Sequence, residues 1–154
     1  MTPRRLAVAV AVAIGLAGCG SSSSSSSSGL SPAQYRTSVN KLCAAYNASI
    51  SALPKSTTAS LAGLTTLANS AKNALAQVKS VTPPKSISGP VNKWVGDLEQ
   101  SGANVDKLLA AFKSGDTTEL RSLAAQGTRL NAQGNAQARA LGLPSCAENA
   151  TPSG

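Results

Sequence analysis

The chain has 154 residues, with 14 Lys plus Arg against 6 Asp plus Glu, no His, three Cys and four aromatic residues. That length suits one domain. The lack of His removes the commonest general base and transition-metal ligand, and so few aromatics give no stacking platform for nucleic-acid bases. Charged residues make up only 13% of the chain, so the net charge of +8 reflects scarce acids rather than abundant bases.

Residues 1–18 have the layout of an export signal. Arg4 and Arg5 are followed by an apolar run from Leu6 to Leu16 and then by small residues. A membrane-spanning helix needs about 20 apolar residues, so this run is too short to remain as one. Arg4-Arg5 also raises twin-arginine export, against which the flanking residues argue. The segment ends in Leu16-Ala17-Gly18-Cys19, which resembles the lipobox of bacterial lipoproteins at all four positions. The resemblance implies that Cys19 becomes the N-terminus and carries the lipid. Two or more acyl chains give stable attachment where one gives only marginal binding. The expected location is therefore the extracytoplasmic side of the cell membrane. Ser21 to Ser28 and Gly29 have nothing apolar to bury, so residues 19–30 read as a flexible tether. Its typical reach is about 20 Å.

Residues 31–146 carry four stretches of helical periodicity, and no stretch shows sustained strand alternation. The first opens with the capping box Ser31-Pro32-Ala33-Gln34 and runs through Tyr35, Val39, Leu42, Tyr46, Ile50 and Leu53 to Pro54. The second is expected to start near Thr57 or Thr58. It repeats Leu61, Leu64, Ala68, Ala71, Leu75 and Val78 at spacings of three and four, and stops at Pro83-Pro84. The third opens at Ser88-Gly89-Pro90 and runs through Val91, Val95, Leu98, Gly102, Val105, Leu109 and Phe112, widened by Trp94 and Leu108. The fourth opens with a second capping box at Asp116-Thr117-Thr118-Glu119. It continues through Leu120, Leu123, Gly127, Leu130, Gly134, Ala138 and Leu141 to a terminal Gly142 suited to a left-handed cap. Four helices with short links predict an all-α, antiparallel up-down-up-down bundle with a thin, Ala- and Gly-rich core. Residues 147–154 read as a disordered tail.

Export places Cys43 and Cys146 in an oxidising compartment, where a pair favours a disulfide. In an antiparallel bundle the fourth helix ends beside the start of the first, and the segment after Gly142 is long enough to double back to Cys43. A structural bond outweighs a redox-active pair, because there is no CxxC motif. The arrangement also loosely resembles small secreted or lipid-anchored helical proteins of high-GC Gram-positive bacteria. The shared pieces are Tyr35 to Tyr46 around Cys43, the turn Lys113-Ser114-Gly115-Asp116, and Leu141-Gly142-Leu143-Pro144-Ser145-Cys146. This resemblance implies a fold and no active site.

No catalytic constellation emerges. Ser-His and Cys-His chemistry is impossible without His, Asp97 and Glu99 point to different helix faces, and Asp116 and Glu119 are occupied as caps. No metal site, cofactor motif or phosphate-binding loop is present in the sequence. Two features remain. Residues 31–96 hold seven bases and no acid, so Arg36, Lys41, Lys72 and Lys79 suggest contact with anionic lipid or an acidic envelope polymer. The alternative is a solvated face. Gly102, Gly127 and Gly134 fall on inward stripes, where each costs about 1 kcal/mol relative to Ala. They imply either close helix approach or a slot for a ligand. The expected role is a non-catalytic interaction or structural module of the envelope, with a carrier of lipid or a small apolar ligand as the alternative. The protein partner is unspecified, and nucleic acid is excluded.

Overall fold

A computed structural model describes residues 29–148 of the chain. The export segment, Cys19, the serine run and the tail from residue 149 lie outside the described residues. The fold is an all-α four-helix bundle with one disulfide. Helices α1 (Pro32–Ser51) and α2 (Leu61–Ser80) are joined through a 3₁₀ turn at Lys55–Ala59, α2 and α3 (Ser88–Ser114) through one at Lys85–Ile87, and α4 (Thr117–Ala140) follows α3 directly and leads to a last 3₁₀ turn at Pro144–Ala147. Successive helices pack side by side, and the last turn bridges α4 and α1. No helix among the described residues is long and apolar enough to cross a membrane.

Local chemistry sets most boundaries. Ser31 Oγ accepts from the Gln34 N–H, and Gln34 Oε1 accepts from the Ser31 N–H, which closes the capping box of α1. Asp116 caps α4 by accepting from the N–H groups of Thr118 and Glu119. Gly115 and Gly142 take positive φ and end α3 and α4. After α4, Leu143 N donates to Ala138 O and Gly142 N to Arg139 O, the paired bonds of a Schellman cap. The start of α2 differs from expectation. Lys55–Ala59 forms a 3₁₀ turn, and Ser60 is the cap, accepting from Gly63 N. The turn folds so tightly onto α2 that a Cβ on Gly63 would lie 1.7 Å from Thr57 O.

The packed core sits at one end of the bundle. It joins Tyr35 and Val39 of α1, Val78 of α2, Val91 and Trp94 of α3, Ala138 of α4, and Leu141, Leu143 and Ala147 beyond it. The expected inward line of α3 is corrected. Its deepest residues are Val91, Trp94, Asp97, Asn104 and Ala111, whereas Val105 is 37% and Phe112 44% exposed. Val91 and Trp94 are buried as expected, but the buried positions Asp97, Asn104 and Ala111 each precede an expected one (Leu98, Val105 and Phe112), because α3 is clasped from two sides, by α2 and α4.

The chain end lies along α1 as a strap. Arg36 Nε donates to Leu141 O (2.7 Å), Asn40 Nδ2 to Gly142 O (3.1 Å) and Asn47 Nδ2 to Ser145 O (2.8 Å), while Ser145 N donates to Asn40 Oδ1. Cys43 and Cys146 are disulfide-bonded with α-carbons 5.0 Å apart. Positions 36, 40, 43 and 47 form one stripe of α1, so the strap follows a single helix face. Core, caps and strap all lie between Ser31 and Ala147, so among the described residues the contacts that hold the body together are contained in that segment.

The bond closes a loop with a sequence separation of 103, which corresponds to about 4–5 kcal/mol in the chain-entropy treatment. Cys146→Ser is expected to lower the melting temperature by about 10 °C or more, with little loss of helical circular dichroism below the new midpoint. An unchanged melting temperature would show that the strap's hydrogen bonds and apolar contacts suffice.

Candidate functional site: an interhelical cleft

Below the packed core the four helices do not close. A cleft of about 460 Å³ runs between them, bordered by Cys43 and Tyr46 of α1, Ala68, Leu75 and Val78 of α2, Trp94, Leu98, Gly102 and Val105 of α3, and Gly127, Leu130 and Gly134 of α4. The volume is within the range of about 300–1,000 Å³ typical of small-molecule sites. Many of these residues belong to the apolar stripes expected to make the core. They line open space because Ala and Gly are too small to meet across a four-helix interior.

All three singled-out glycines border the cleft, but they differ in surroundings. A Cβ on Gly102 would meet no atom within 4 Å, and one on Gly134 would make an ordinary contact of 3.8 Å with Leu98 Cδ2. Only at Gly127 is the approach close, 3.1 Å to Asn104 Nδ2. Helix packing therefore does not require Gly102 or Gly134, and their effect is to keep the cleft wide.

A polar seam joins α3 to α4 behind the cleft. Asp97 Oδ2 accepts from Gln137 Nε2 (2.6 Å), Gln133 Nε2 (2.7 Å) and Lys93 Nζ (3.1 Å). The Gln137 hydrogen bond, then those of Lys93 and Gln133, hold the Asp97 carboxyl below its usual range against the opposing effect of desolvation. One heptad further on, Asn104 Nδ2 donates to Leu123 O (3.1 Å). Burial raises the hydroxyl of Tyr46, a cleft-lining residue, above its ordinary value. The periodicity reading missed this seam. Its signal was a polar residue at positions 97 and 104, seven apart on a helix otherwise apolar at that spacing.

The singled-out bases are not gathered on one face free of acids. Lys72 pairs with Asp106 (2.6 Å) and Lys79 with Glu99 (2.5 Å), both tying α2 to α3. Arg36 holds the strap, and Lys41 is exposed on α1. The basic first half and acid-bearing second half thus neutralise each other in part across helix interfaces. Among the described residues no group of three or more His, Cys, Asp or Glu is placed to hold a metal. No known protein family, curated protein or solved structure matches the chain.

Two outcomes follow. Gly102→Ala should raise stability by about 1 kcal/mol through helix propensity alone, whereas Gly127→Ala should gain nothing or lose, because Leu123 O fixes the amide it would strike. Chemical denaturation of both variants checks this. Asp97 has a depressed folded-state pKa, so its contribution is fully present above the unfolded carboxylate value of about 4 and is lost as pH falls through the lower folded value. Thermal melts from neutral to strongly acid pH should therefore show a smaller acid-induced drop in Asp97→Asn than in the parent.

Proposed function

We propose that the protein is a lipid-anchored, non-catalytic envelope protein that holds one small, largely apolar ligand in the interhelical cleft. The observation that carries this reading is the cleft itself, with Gly102 and Gly134 standing on its walls where packing leaves room for larger residues. A protein serving only as a structural module would gain by filling that space with Ala or Leu, at roughly 1 kcal/mol per glycine. The ion pairs of Lys72 and Lys79 weaken the competing reading of a broad basic surface, since two of its four bases already have acidic partners and a third, Arg36, holds the strap.

The lipobox supplies the setting. With Cys19 acylated, the tether holds the body at a typical distance of about 20 Å from the bilayer. Apolar molecules partition into that bilayer, so the cleft exchanges with a nearby reservoir. Asp116 serves as a cap, Glu99 and Asp106 in ion pairs and Asp97 in the α3–α4 seam, and Glu148 is the one acid on the cleft wall, which favours binding over acid–base chemistry there.

The test uses the apolar dye N-phenylnaphthylamine with the body from Ser31 to Glu148. One dye should bind per chain with enhanced fluorescence. Gly102→Leu should weaken binding by at least about tenfold, since the added side chain occupies the cleft, while stability holds or rises. Dye uptake insensitive to Gly102→Leu overturns the cleft reading. In cells, Cys19→Ala should move the full chain out of the membrane fraction, and persistent lipid labelling of that variant overturns the anchor.

A further inference from the structure

The two ends of the bundle differ in charge. At the packed end each helix sets one base directly beside a core residue: Arg36 beside Tyr35, Lys79 beside Val78, Lys93 beside Trp94 and Arg139 beside Ala138. Lys85 adds a fifth, exposed on the 3₁₀ turn whose Ile87 packs against the same core. The four helical bases lie within six residues of a helix terminus, about 8 Å or less along the axis. Two of the five are balanced, Lys79 by Glu99 and Lys93 by Asp97. Arg36 and Arg139 donate to backbone carbonyls, those of Leu141 and Ala147, and Lys85 takes part in none of the ion pairs among the described residues. Three positive charges therefore stand uncompensated at this end. The opposite end sets Lys55, Lys113 and Arg121 against Asp116 and Glu119, which leaves a single net charge.

The chain also enters the body at the basic end. Helix α1 starts at Pro32, beside the core residues Tyr35 and Val39, so the tether joins the bundle there. The antiparallel order produces the asymmetry, because it gathers the starts of α1 and α3 and the ends of α2 and α4 in one place. Helix dipoles do not account for it. Lys79 and Arg139 stand in last turns, where a base is favoured, but Arg36 and Lys93 stand towards helix starts, where the dipole offers a base nothing.

Resting on the anchor half of the reading above and not on the cleft, we infer that the tethered end of the bundle docks on the anionic headgroups of the membrane that holds the lipid. A base near an anionic surface contributes about a fivefold factor, so three favour the docked orientation by about a hundredfold at low salt. The charges lie within a screening length of about 8 Å from the end of the body. The anchor supplies the proximity, so the charges need only orient the body and not capture it from solution.

The experiment places the full acylated chain in two sets of vesicles, neutral phosphatidylcholine and the same lipid with phosphatidylglycerol, each with an equal density of dansyl headgroups. Trp94 is the chain's only tryptophan and belongs to the packed end, so its energy transfer to dansyl reports how closely that end approaches the lipid. Transfer should be greater on the anionic vesicles at low salt, and the excess should vanish by about 0.5 M salt. Lys85→Glu removes one attraction and adds one repulsion, which should lower the docked-to-undocked ratio by about 25-fold. At the salt concentration where the parent has lost half of its excess, this variant should show none. Arg121→Glu makes the same change of net charge at the opposite end and should behave as the parent. Both substitutions place an acid near a helix N-terminus, where it is tolerated, so folding does not separate them. Equal transfer on the two vesicle types at low salt, or equal losses in Lys85→Glu and Arg121→Glu, overturns the docking and leaves the anchor standing. Equal transfer that changes only when polyglutamate is added assigns the basic end to an acidic polymer and overturns the lipid surface. Failure of the chain to float with neutral vesicles overturns the anchor reading, and this inference with it.

Discussion

The constraint on which this structure depends is a shortage of inward-facing volume. Four helices of 20 to 27 residues enclose a long interior, and protein interiors tolerate few voids larger than a water molecule. The sequence supplies four aromatics for the whole chain, and its inner stripes interrupt Leu and Val with Ala and Gly. The large buried side chains, Tyr35, Trp94 and Leu143, gather at one end and fill it. Along the rest of the length the helices cannot meet across the centre, and the cleft is what remains.

A bundle packed fully at one end only needs other means of holding its helices apart and in register. The strap of residues 141–146 substitutes for direct closure of α4 onto α1, through three side-chain bonds from Arg36, Asn40 and Asn47 and the disulfide. The Asp97 seam and the Asn104–Leu123 bond join α3 to α4. Two exposed ion pairs register α2 on α3, each worth at most about 1 kcal/mol. These are directional contacts on the outer and lateral faces. They fix helix positions without filling the middle, which is how a thin core and an ordered bundle coexist.

The same division gives the cleft its chemistry. Where α3 faces α4, its polar residues are paired, Asp97 through Oδ2 and Asn104 through its nitrogen. Where α3 faces the centre, it presents Leu98, Gly102 and Val105.

Much of this was legible in the sequence because it is encoded locally. Capping residues, the positive-φ glycines at 115 and 142, and apolar spacing determine helices within a few residues of themselves. The antiparallel order followed from the short links, and the Cys43–Cys146 pairing from that order. The sequence also placed Gly102, Gly127 and Gly134 together on inward stripes, where close approach was the plainer reading and an open slot the alternative. Tertiary structure decided between them, because the distance across a stripe depends on the facing helix: Gly127 meets Asn104, and Gly102 meets nothing within 4 Å. It also decided the rotation of α3. A broad apolar stripe fits several settings about the helix axis, and one residue's rotation exchanges Val105 for Asn104 at the buried seam. Lys72 and Lys79, read along the chain, belong to an acid-free half, and only the packing of α2 on α3 brings Asp106 and Glu99 to them. Periodicity records which face of a helix is apolar, whereas the neighbour across that face is set by the arrangement of the whole chain.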